Sequence, residues 1–229
     1  TGSEVSNVAV IYNEEEHVKA NLIHPYIMGE YAMLDPELTL TLPPWMTAAT
    51  GLDALGHAVE GMSSSEANCM SQALNIQAIK LILEYLPIAV NDGKNMEART
   101  KMLAASNMAI MGFSMGAMLA PGHNIAHAVG GKHRIPHGEA VAQAIPALFE
   151  FFPEYYFDCL SELKDAFGLD SRITEPREIV AAAREKILDL MKKCGFGTQF
   201  SVKLDEQGVK DMVLAIQVLY GGIGCFYLR

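Results

Sequence analysis

From Pro44 onward, apolar residues recur three and four positions apart, the spacing that gathers side chains on one face of a helix. Proline, glycine and Asn-Asp-Gly clusters separate these runs, so the pattern predicts seven helices. The first covers residues 45–62. The second starts at Ala67, carries Leu74, Ile79, Ile82 and Leu86, and is expected to stop or kink before Pro87. The third covers 97–119. Pro121-Gly122 opens a fourth, with Gly130-Gly131 as its expected end, and Pro136 opens a fifth that runs to Phe152. The last two cover 176–193 and 205–219. Before Pro44 the pattern changes: residues 7–12, 19–24 and 31–34 read as short extended pieces between charged or Pro/Gly-bearing turns. The fold class is therefore mainly α after a short β-containing entry, with no fixed repeat period.

Composition narrows the function classes. The 229 residues are 50% hydrophobic, enough for a sizeable core. A net charge of −10 with scattered lysines and arginines argues against nucleic acid and anionic membrane surfaces as partners. No stretch reads as a secretory signal or a membrane span. The four cysteines, Cys69, Cys159, Cys194 and Cys225, are far apart and form no CxxC pair, which suits free thiols in a reducing, cytoplasmic setting. The 13 methionines sit mostly at core spacing and read as packing, and Tyr155, Tyr156 and Phe157 as a core or interface cluster.

Chemistry concentrates in two segments. Asp53 and His57 are four apart on the first predicted helix, and His123 and His127 repeat that spacing on the fourth; His133 and His137 follow closely. A carboxylate and several imidazoles are the ligand types a borderline divalent ion takes. A single histidine on an apolar helix is more often a hydrogen-bonded core residue. Here, however, Asp53 lies in the small, apolar run of residues 48–62, where a lone carboxylate would be expensive to bury. These residues predict a bound metal.

The chain also resembles the iron-containing (group III) alcohol dehydrogenase family. The resemblance is carried by Thr1-Gly2-Ser3-Glu4, Leu34-Asp35-Pro36-Glu37-Leu38, Leu42-Pro43-Pro44, the run from Thr47 through Gly51-Leu52-Asp53-Ala54-Leu55-Gly56-His57 to Gly61, His123-Asn124-Ile125-Ala126-His127 and Pro136-His137-Gly138. It extends to about Gln217. It implies a helical metal-binding domain at 43–229, preceded at 1–42 by a remnant of an α/β dinucleotide-binding domain. On the same ground the metal ligands fall on Asp53, His57, His123 and His137, and a further histidine near the nicotinamide and substrate falls on His127. The turn that contacts the cofactor falls on Thr1, Gly2 and Ser3, and a lysine that reaches it on Lys19; His133 matches no ligand position.

The activity so implied is NAD- or NADP-linked oxidation of a small alcohol, or reduction of an aldehyde, with Fe²⁺ the usual metal and Zn²⁺ the alternative. The metal would polarise the substrate oxygen, and His127, one turn from His123, would relay a proton. A homodimer or larger assembly is implied only by the resemblance. The opening at Thr1 and the glycine-rich ending after about residue 217 lead to the expectation of a fragment that binds metal but turns over little. Competing readings are a metal-dependent hydrolase, a lyase similar to dehydroquinate synthase, and a non-catalytic helical module. Asn124 stands where the HExxH pattern of zinc proteases has its glutamate, which disfavours that hydrolase class.

Overall fold

The computed structural model describes residues 1–15, 18–116, 120–200, 202–203 and 205–221. Two strands, β1 (Val8–Asn13) and β2 (Val18–Ile23), pair antiparallel from Val8 opposite Ile23 to Asn13 opposite Val18. Among the described residues eight α-helices follow: α1 (Pro44–Met62), α2 (Cys69–Asn91), α3 (Met96–Gly116), α4 (Pro121–His133), α5 (His137–Phe151), α6 (Leu160–Phe167), α7 (Pro176–Lys193) and α8 (Glu206–Gly221). The class is mainly α, as the periodicity indicates.

Helix α1 is the centre of the molecule. It packs on α2, α3 and α5, and every residue from Gly51 to Met62 is buried. Ala48, Ala49, Ala54, Gly56, Ala58 and Gly61 make it thin, so three helices approach it closely, and from Gly51 on it has no solvent face. Helix α2 starts at a capping box: the Asn68 side chain accepts the Met70 and Ser71 N–H groups, and Ser71 Oγ accepts the Asn68 N–H at 2.9 Å. The outer layer of α6 and α7 closes over the far side through Leu163, Phe167, Ile179, Ala183 and Ile187.

Several boundaries differ from those the pattern predicts. Residues 31–34 form no strand, and Tyr31 and Met33 are almost fully exposed, so their alternation answers to no sheet partner. Helix α2 does not stop at Pro87 but continues to Asn91. Ala89 and Val90 are buried beyond the proline, and Asn91 Nδ2 donates to the Pro87 carbonyl at 2.7 Å; tertiary packing outweighs the lost N–H. Gly130 and Gly131 do not end α4. Both are buried inside it, and the helix closes at Arg134, whose φ of 55° is left-handed. Of residues 97–119, positions 117–119 lie outside the described residues, as does Cys225. The 3₁₀ stretch Pro153–Cys159 and α6 were not foreseen; Tyr156 there is fully buried and stacks on Phe149, ring centres 4.0 Å apart.

One further correction concerns hydropathy. At 23 residues, α2 is long and apolar enough to cross a bilayer by length and composition alone. Its Ala78, Ile79, Ile82 and Leu86 are buried against the neighbouring helices.

Candidate metal centre

Three elements deliver the site. On α1, Asp53, His57 and Glu60 stand four and three residues apart and so share a face. Helix α4 contributes His123 and His127, and the turn at Arg134–Pro136 reverses the chain so that His137 opens α5 beside them. Asp53, His57, His123 and His127 are buried; His137 is about one third exposed through its side chain.

The groups converge on the Asp53 carboxylate. Asp53 Oδ1 lies 3.6 Å from His123 Nε2 and 3.4 Å from His137 Nε2, and one ligand atom from each of these three residues falls within 4.8 Å of the others. His57 stands beside that trio: its Nδ1 is 4.0 Å from Asp53 Oδ2 and its ring centre 4.2 Å from that of His123. The edge of Phe113 closes over His57 at 5.3 Å. His127 is near but set back, its ring 5.0 Å from His137 and 6.5 Å from His123. His133 is at the far end of α4, outside the cluster among the described residues.

Electrostatics follow from this packing. Burial by itself would raise the Asp53 carboxyl, but the imidazoles of His57, His123 and His137 hold it well below the usual carboxylate range. Asp53 is thus an anion at neutral pH. Burial and the neighbouring His123 push His57 down, against the pull of Asp53. For His123 burial works against the charge, but Glu60 and Asp53 overcome it and raise the ring to about 10.

Whether such a donor set suits a divalent cation can be tested on its orphaned atoms. Asp53 Oδ1, His57 Nδ1 and His123 Nε2 are all buried and make no hydrogen bond among the described residues. Buried polar atoms rarely go unpaired, and here they are a carboxylate oxygen and imidazole nitrogens that lie close together around Asp53. One carboxylate and several imidazoles fit a divalent ion of the iron–zinc group.

Glu60 is the functional residue the sequence reading left without a role. It is fully buried; its Oε1 accepts the Gly122 N–H at 2.5 Å and its Oε2 is hydrogen-bonded to His123 Nδ1. The available signal was a charged residue seven positions after Asp53, on the same face of an apolar helix.

The residues singled out for a cofactor lie elsewhere. Thr1 Oγ1 donates to the Thr50 carbonyl of α1 at 3.3 Å, one turn before Asp53. Gly2 has a left-handed φ of 67° and packs on Ile110 of α3, and Ser3 begins a 3₁₀ turn. Lys19 is in β2, where it pairs with Tyr12; its side chain lies outside the described residues.

Residues 47–218 match the family model described as the Fe-containing alcohol dehydrogenase family, C-terminal. Among curated proteins, the chain is 34% identical over 215 residues to a choline dehydrogenase of Bacillus subtilis, covering 93% of this chain and 52% of that protein. It is 38% identical over 189 residues to an NAD-dependent methanol dehydrogenase of Bacillus methanolicus, covering 80% and 49%. Among solved structures, a 1,3-propanediol oxidoreductase superposes with a TM-score of 0.84 at 31% identity, covering 95% of this chain and 57% of that one. An archaeal halo-thermophilic alcohol dehydrogenase from a Red Sea brine pool gives 0.87 at 26% identity, covering 97% and 56%. The chain spans about half the length of the curated relatives it matches.

Proposed function

The chain belongs to the iron-containing alcohol dehydrogenase family, and from that premise we propose that it supplies the metal-binding, catalytic half of an NAD- or NADP-linked dehydrogenase acting on a small alcohol or aldehyde. The observation that carries this reading is the convergence of Asp53, His123 and His137, from three separate elements, within ligand reach of one another. In this proposal Asp53, His57, His123 and His137 hold the ion, Fe²⁺ or Zn²⁺. When bound, it supplies Lewis acidity toward a substrate oxygen.

The chain's own residues do the rest. Ionised Asp53 neutralises part of the positive charge in a buried pocket, and the Phe113 ring packs against His57 in a T-shaped contact. His127 carries no ligand role in the proposal. Its position one turn past His123 and 5.0 Å from His137 suits proton exchange with an alcohol oxygen at the open, His137 side. Thr1, Gly2, Ser3 and Lys19 are proposed as cofactor contacts, and residues 1–42 as part of the dinucleotide-binding domain, with 43–229 as the helical domain. A homo-oligomer and a cytoplasmic location belong to the same proposal.

The test is metal content by mass spectrometry on anaerobically purified protein, alongside Asp53→Ala. About one Fe or Zn per chain, lost in the variant, supports the reading. An intact chain that stays metal-free in the presence of either ion refutes it. His127→Ala should keep its metal; in a chain that turns over alcohol with NAD or NADP, it should lower kcat by about 10²–10⁴-fold.

A further inference from the structure

Helix α4 begins without a cap of its own. Ala120, at the N-cap position, has no side chain to accept the first N–H groups, and none does so from that position. The acceptor comes from another helix: Glu60 of α1 takes the Gly122 N–H through Oε1. A carboxylate at this end also meets the positive pole of a 13-residue helix. The glycine leaves room for this approach: a Cβ at position 122 would lie 2.7 Å from the movable end of Ile145, at Cδ1, and 3.2 Å from Glu60 Oε1.

The second oxygen of the same carboxylate has a different partner. Glu60 Oε2 faces His123 Nδ1, and a carboxylate oxygen only accepts, so Nδ1 must carry the proton. His123 Nε2 is then the nitrogen presented to Asp53 Oδ1, 3.6 Å away. Both Glu60 and the His123 side chain are almost fully excluded from solvent, so water has little access to substitute for either bond.

We propose that Glu60 is a positioning residue: one carboxylate fixes where α4 starts and which ring nitrogen of His123 faces Asp53. The helix start sets the position of the His123 backbone, and the Nδ1 bond sets the rotation of its ring and keeps a proton on Nδ1, so that Nε2 is the nitrogen turned to Asp53. The link to metal affinity rests on the proposed metal site; the link to the orientation of the His123 ring does not.

The experiment compares Glu60→Gln with the unaltered chain, using Zn²⁺ alone, titrated against a chromogenic chelator, and ¹⁵N NMR of histidine-labelled protein. Glutamine keeps the shape of the side chain, but its single carbonyl oxygen can serve only one of the two donors. The variant should bind Zn²⁺ about 10–100-fold more weakly and lose the hydrogen-bonded Nδ1 proton signal of His123. A second variant separates positioning from stability. Glu60→Gln with Ala120→Ser gives α4 its own cap, so the thermal midpoint should recover while Zn²⁺ affinity stays low. Recovery of both would make Glu60 a helix cap only and overturn the proposal. So would unchanged affinity with an unchanged His123 signal in the single variant. If the unaltered chain binds no Zn²⁺, the metal reading fails, and the Nδ1 signal in the metal-free proteins still decides the assignment.

Discussion

Gly138 packs against the backbone of Ala49: a Cβ on it would lie 2.8 Å from the Ala49 carbonyl carbon. The first turn of α5 thus touches α1 one turn before Asp53, and His137 is the adjacent residue. Gly138→Ala must push α5 away from α1 and carry His137 from Asp53. We expect a loss of about 1–3 kcal/mol in urea unfolding together with weaker Zn²⁺ binding. Unchanged binding at lowered stability would mean that His137 is placed independently of this contact.

Binding to the folded site alone should stabilise the chain. With Zn²⁺ at a hundredfold excess over its Kd, the gain is about 2.7 kcal/mol, or roughly 5–10 °C in Tm for a chain of this size. A chelator should reverse it, and Asp53→Ala should show no shift. A shift of equal size in Asp53→Ala would place the ion elsewhere.

Tyr156 buries a hydroxyl that makes no hydrogen bond among the described residues, while its ring stacks on Phe149. Burial, then the nearby Glu60 charge, pushes its ionisation well above the ordinary tyrosine value. Tyr156→Phe keeps the ring and removes the unpaired oxygen, so stability should hold or rise by up to about 1 kcal/mol. A drop of more than 1 kcal/mol in urea unfolding would show that the hydroxyl has a partner.

Cys159 and Cys194 are buried, and burial raises each thiol from 9.0 to about 12. In the unfolded chain they ionise near 9, so below that pH both states keep the proton and no stability is lost. As pH rises from about 9 to about 12, the unfolded state alone gains charge and folding stability declines. Cys159→Ala with Cys194→Ala should be less stable at pH 7, from the cavities left, yet decline less steeply between pH 8 and 10.5 in urea unfolding. An equally steep decline in the variant would assign the alkaline loss to other groups.

The helices of the core were legible because their apolar residues repeat at helical spacing; α1 and α7 end within one residue of where the pattern puts them. Pro87 and Gly130-Gly131 misled for one reason. Local propensity is worth about 1–3 kcal/mol, and burial of Ala89, Val90, Gly130 and Gly131 against neighbours outweighs it. The extended pieces at residues 7–12 and 19–24 found each other, but 31–34 has no partner, and a lone strand leaves its ladder groups unpaired.

In the site, the spacings Asp53–His57 and His123–His127 are written in the chain, because four residues is one helical turn. The residue types are written there too, and a carboxylate with imidazoles suits a divalent ion of the iron–zinc group. The spacing alone does not separate His137 from His127; the family resemblance named His137, and the tertiary structure shows it in the trio with Asp53 and His123 through the reversal between α4 and α5. Only the tertiary structure joined Glu60 to Gly122 and His123 across 62 and 63 residues. Periodicity records which face of a helix is apolar, and it carries no record of which other helix that face will meet.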